Sequence, residues 1–133
     1  MSDSIFDQCL THLEFFGYSF DKKEDDDSIM GKHEQKGMLI MRKYLGGILV
    51  QKYYKINDNA KKNRLEYLDF INQLNSKANL ATFCADLNDD LLRIDSYYLG
   101  NYDKQSFGVF LEAWHFDARD FLFGHEKCET FLE

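Results

Sequence analysis

The residues able to do chemistry are few and scattered. Histidines stand at His12, His33, His115 and His125, and cysteines at Cys9, Cys84 and Cys128. A metal site needs several such ligands converging, often from short spacings. The nearest approach is His125-Glu126-Lys127-Cys128, which has no partner pair at a recognisable spacing. It reads as solvated tail. His115 falls on a polar flank of its helix, where an exposed imidazole is the default. The acidic run at Glu24–Asp27 suggests calcium, but a calcium loop needs alternating ligands, a central glycine and a closing glutamate. Ile29 and Met30 stand where a ligand or glycine is required. A solvated loop or hairpin tip that discourages edge pairing is expected instead.

Nucleophilic chemistry has no better footing. There is no Gly-x-Ser-x-Gly elbow. Cys84 sits within a strand, with no basic neighbour in sequence to activate it. Asp86, Asp89 and Asp90 could act as an acid and base pair, but turn chemistry accounts for all three. Gly31, Gly37, Gly46 and Gly47 fit neither phosphate-binding fingerprint. Arg42-Lys43-Tyr44 and Lys52-Tyr53-Tyr54-Lys55 could form a stacking platform for single-stranded nucleic acid. A net charge of −7 and a pI near 5.0 oppose that. The reading is therefore no catalytic residues, no metal and no cofactor, and neither nucleic acid nor a membrane as partner.

The elements that would position these residues are easier to read. A first helix covers about Asp3 to Phe16, with Ile5, Phe6, Cys9, Leu10, Leu13 and Phe16 on one face and Gly17 closing it. Strands follow at Ser28–Gln35, Gly37–Leu45 and Gly47–Asn57, with Gly46-Gly47 as a hairpin turn. A second helix runs from about Asp58 to Asn75, with Asn57, Asp58 or Asn59 as its cap. Strands at Asn79–Leu87 and Asp90–Leu99 are joined by Asn88-Asp89. A third helix spans about Asp103 to Phe123. The order is α-βββ-α-ββ-α, an α+β fold with an antiparallel sheet packed against helices. At 133 residues it reads as one domain, with a core of about 3–123 and a possible tail at 124–133.

The apolar surface exceeds what one sheet face needs. Twelve Phe, eight Tyr and one Trp are many rings for so short a chain, and aromatics are enriched at interfaces. The third helix carries one stripe of Phe107, Phe110, Leu111, Trp114, Ala118, Phe121 and Leu122. A narrower stripe of Val109, Ala113, Phe116 and Phe123 lies opposite. A helix that is apolar on two sides is usually covered on two sides. Phe15 and Leu65 also fall off their helices' buried faces. Phe15, Leu65, Val109, Ala113, Phe116 and Phe123 are thus the expected partner or dimer contacts. The tail residues Phe131 and Leu132 are the competing cover.

No apolar run is long enough to span a membrane. Met1-Ser2-Asp3-Ser4 is acidic and does not read as a signal peptide. Three cysteines without framework spacing read as reduced thiols, so a cytoplasmic location is expected.

Three stretches carry a family resemblance. They are Leu13-Glu14-Phe15-Phe16-Gly17-Tyr18-Ser19-Phe20 leading into a strand, Phe70-Ile71-Asn72-Gln73-Leu74-Asn75 running into Ala81-Thr82-Phe83, and Leu91 to Leu99 followed by a helix. With the element order, size and acidity, they resemble the type III secretion chaperone-like superfamily, and within it the YbjN-type domain proteins. The resemblance implies a curved antiparallel sheet on helices and a non-enzymatic role in bacteria. Secretion chaperones of this fold are homodimers that hold an extended segment of a client. YbjN-type proteins are described as regulators. The expected function is a protein-interaction module, chaperone-like or regulatory. The alternatives are a dedicated secretion chaperone for an exported effector, and a ligand-binding domain or enzyme with a pocket near His33, His115 or Asp86.

Overall fold

The computed structural model describes residues 4–20 and 27–133. The Asp3 start of the first helix and the acidic stretch at 21–26 lie outside the described residues. In chain order the first elements are α1 (Ile5–Phe15), β1 (Ser19–Phe20), β2 (Ser28–His33), β3 (Gly37–Tyr44) and β4 (Gly47–Lys55). Next come α2 (Asp58–Lys62), α3 (Arg64–Lys77), β5 (Thr82–Asp86) and β6 (Leu91–Tyr98). The chain closes with α4 (Lys104–His115), a π-helical segment (Phe116–Phe121), α5 (Leu122–Gly124) and α6 (Cys128–Phe131). The six strands form one antiparallel sheet in the order β1-β2-β3-β4-β6-β5, so the expected α+β class holds. The chain divides into two compact units, Met1–Gln51 with Tyr97–Phe110 and Lys52–Ser96 with Leu111–Glu133.

In the first unit, α1 starts at Ser4, whose hydroxyl accepts the Asp7 N–H at 3.2 Å. Such a cap satisfies an orphan donor of the first turn. Phe6, Cys9, Leu10 and Leu13 are buried as the periodicity demands. Phe16 is not. It lies past the helix end, where the chain leaves through Gly17 at φ +102°, a conformation that favours glycine. β1 was not legible because two residues carry no period. It pairs with β2 through Ser19↔Lys32 and Phe20↔Gly31.

The β3–β4 turn differs from the expected Gly46-Gly47. Tyr44 pairs with Gly47, which leaves Leu45 and Gly46 as the loop, at φ +47° and +78°. Two successive positive φ values match the twist of a tight hairpin. Gly47 is required for another reason. A Cβ there would stand 2.5 Å from the Tyr98 carbonyl oxygen and 2.8 Å from the Tyr97 hydroxyl.

In the second unit the expected single helix is two. Asn57 caps α2 by accepting the Ala60 N–H at 2.9 Å, and the helix breaks at Asn63, with φ −114° and ψ 61°. α3 then buries Tyr67, Phe70, Ile71 and Leu74. β5 and β6 pair from Thr82↔Asp95 to Asp86↔Leu91. The Asp86 carboxylate accepts the Asp89 N–H at 3.2 Å, and Asp90 takes φ +55°. These aspartates therefore shape a turn.

The tail is part of the fold. α6 buries Cys128 and Phe131, with the Phe131 ring 5.3 Å from Phe70 and 5.8 Å from Tyr67. Leu132 bridges Ile56, the Asn57 N–H donates to the Phe131 carbonyl at 2.9 Å, and the Glu133 N–H donates to Lys55 at 3.1 Å. His125 serves the same turn, its Nδ1 accepting the Lys127 N–H at 3.0 Å. The tail covers α3 and leaves Phe116 and Phe123 exposed.

Candidate functional site

The first unit holds a pocket of about 270 Å³ lined by Gln8, Thr11, His12, Phe15, Phe16, Tyr102 and Lys104. α1 supplies its floor, because positions 8, 11, 12 and 15 recur at helical spacing. His12 is buried, and its Nδ1 lies 2.8 Å from the Tyr102 hydroxyl. Rings surround it, with Phe16 and Phe107 each at 5.0 Å and Tyr102 at 5.9 Å. Burial, and then the Lys104 ammonium, lower the His12 pKa. Burial likewise raises the Tyr102 phenol. The pair is therefore held neutral, joined by one hydrogen bond whose direction follows the His12 tautomer.

None of His33, His115 and Asp86 lines the pocket, although His33 lies beside it, with Nε2 3.1 Å from the carbonyl oxygen of the lining residue Phe16. His33 is engaged in a turn, its Nδ1 accepting the Gln35 and Lys36 N–H groups at 3.0 and 3.1 Å. His115 and Asp86 belong to the second unit and line no part of the pocket. Among the described residues, no group of three or more His, Cys, Asp or Glu side chains could hold a metal ion. No helix there is long and apolar enough to cross a membrane.

The six expected contact residues are largely solvent-facing. Leu65 is 85% exposed, Phe15 80%, Val109 61%, Phe123 51% and Phe116 47%. Ala113 is only half-buried. In the second unit Phe123 packs on Tyr54 at 5.4 Å, and the Tyr54 hydroxyl donates to the Ala118 carbonyl at 3.0 Å. Beside it Lys52 is buried, with its ammonium 5.7 Å from the Tyr54 ring centre. Burial, and then Arg119, lower its pKa to about 8.

The outer edge of β5 is engaged at Phe83. The Asn75 side chain takes both hydrogen-bonding groups of Phe83, as a neighbouring strand would. Asp117, fully buried in the π-helical segment, accepts four donors. Its Oδ1 receives the backbone and side-chain N–H of Asn79, both at 3.2 Å. Its Oδ2 receives Leu80 N–H at 2.7 Å and Ala81 N–H at 2.8 Å. A π turn holds more residues than an α turn and so rotates the facing of the residues after it. Here it coincides with a carboxylate turned inward.

No protein-family profile matches the chain, and no curated protein does. Among solved structures, the crystal structure of YbjN from E. coli, described as a candidate transcription regulator, matches with probability 1.00 and a TM-score of 0.72. The match covers 96% of this chain and 94% of that one, at 14% identity.

The fold is YbjN-like. At that identity the likeness fixes architecture and leaves the site to be argued from residues.

Within the YbjN-like fold, three residues matter that the sequence did not single out. His12 and Tyr102 are 90 positions apart, so no spacing connects them. Asp117 had only a faint signal, since it stands between Phe116 and Ala118 but is followed by the charged pair Arg119-Asp120. A 3.6-residue period puts it at the border of the apolar stripe, three residues after Trp114, and does not foretell its full burial.

Proposed function

We propose that this chain is a cytoplasmic protein-interaction module, regulatory or chaperone-like in action and without catalysis. The exposure of large apolar side chains, above all Phe116 and Phe123 in the second unit, carries this reading. Contiguous apolar surface on a soluble chain usually marks contact. The tail, which could have covered these rings, is engaged with α3 instead. A partner segment, or a second copy of the chain in a homodimer, would bury them.

The YbjN description supports the regulatory branch. Net charge −7 disfavours direct contact with a phosphate backbone, so regulation through a protein partner fits better than regulation through DNA. Strand addition, another route to a partner segment, is opposed at β5 by the Asn75 hydrogen bonds to Phe83. Side-chain contact through the exposed Phe116 and Phe123 rings is the favoured mode. Affinity capture from a native lysate, wild type beside Phe116→Asp, tests the proposal. It is supported if one partner, or the chain itself, is recovered by the wild type and lost in the folded variant. It fails if the two samples are indistinguishable.

A further inference from the structure

The pocket around His12 shares Phe15 with the expected contact residues but none of the others, and its reading does not depend on contact at Phe116 and Phe123. Its walls are aromatic. Phe15 and Phe16 meet edge to face at 5.4 Å, and Phe16 lies 5.0 Å from the His12 ring. Its charge runs against that of the chain. Among the described residues no carboxylate lines it, although the whole protein carries −7. Two polar groups at its rim are unspent, since the Lys104 ammonium and the Gln8 side-chain amide have no partner among the described residues.

We propose that this pocket binds a small planar aromatic carboxylate. The ring would lie against Phe15, Phe16 and Tyr102, and the carboxylate would take the Lys104 ammonium and the Gln8 amide. About 270 Å³ sits at the small end of ligand pockets and suits one substituted ring. A charge-assisted contact beside apolar walls is stronger than the same contact in open water. The Lys104 charge that lowers the His12 pKa is the charge an anionic ligand would neutralise.

The test is an amide- and ring-resonance NMR titration with phenylacetate, phenylacetamide and acetate. Phenylacetate is expected to move the signals of His12, Tyr102 and Lys104 saturably. Phenylacetamide and acetate should bind at least about tenfold more weakly, since they lack the charge or the ring. Lys104 is exposed, so Lys104→Gln should keep the wild-type spectrum and erase the preference for phenylacetate over phenylacetamide. Gln8→Ala should weaken phenylacetate in the same direction. Absence of saturable shifts, an equal response to phenylacetamide, or a Lys104→Gln variant with unchanged preference would each overturn the proposal.

Discussion

Asn75 meets Phe83 twice: its side-chain N–H donates to the Phe83 carbonyl at 2.9 Å, and its side-chain oxygen accepts the Phe83 N–H at 2.7 Å. An amide side chain thereby stands in for a seventh strand at the β5 edge. Open edges recruit other strands, so the contact both stabilises and protects. Asn75→Ala should lower stability by about 1–3 kcal/mol, the cost of leaving part-buried backbone groups unpaired. It should also introduce concentration-dependent association. Urea unfolding and light scattering on the same samples check both effects.

Asp117 is the most committed polar side chain in the second unit, with four donors on one fully buried carboxylate. Asp117→Ala orphans the N–H groups of residues 79, 80 and 81, and should cost on the order of 3 kcal/mol. Asp117→Asn should fall between that variant and wild type, because one amide oxygen can still accept while its NH₂ faces donors. Denaturant midpoints at unchanged slope would register the change as stability alone.

Leu45 occupies a conformation that suits glycine or asparagine. It is exposed and sits at φ +47°, while the Tyr97 hydroxyl donates to the Tyr44 and Leu45 carbonyls at 2.8 Å. Those bonds use backbone oxygens, so the side chain is dispensable. Leu45→Asn should raise the unfolding free energy by about 0.5–1 kcal/mol by relieving left-handed strain. Thermal unfolding reads this directly.

Lys52 gives a pH signature. Its pKa falls from 10.5 unfolded to about 8 folded, through burial and then Arg119. Between those values the unfolded chain holds the proton and the folded chain does not, so stability rises with pH across that window. Below about 8 the folded state carries the buried charge and the gain is absent. Lys52→Met should flatten this rise, which is on the order of 1 kcal/mol once partial solvation is allowed for. Urea unfolding at stepped pH, wild type against variant, isolates the effect.

The sequence made the α+β order legible because amphipathic helices and alternating strands leave periods of 3.6 and 2. It also marked Phe15, Leu65, Val109, Phe116 and Phe123, which do stand exposed, since an off-face position on a regular helix is computable by counting. Features made by departures from regularity were hidden. The break at Asn63 and the π turn at Phe116–Phe121 are shifts of phase within apolar patterns. β1 is too short to have a pattern. The His12–Tyr102 contact and the docking of Phe131 on Phe70 depend on long-range packing, which local periodicity does not encode. The Leu45-Gly46 turn was misplaced by one residue because Gly47 is needed for its close approach to Tyr98, not for the turn itself.

The central claim is that the exposed apolar side chains are a contact surface for protein. A photo-crosslinking amino acid placed at Phe116 tests it most directly, with the exposed Asp89 position in the β5–β6 turn as control. On irradiation in native lysate, position 116 should give a discrete adduct, either with one partner or with a second copy of this chain, and position 89 should not. No adduct at 116, or the same diffuse products at 116 and 89, would contradict the account.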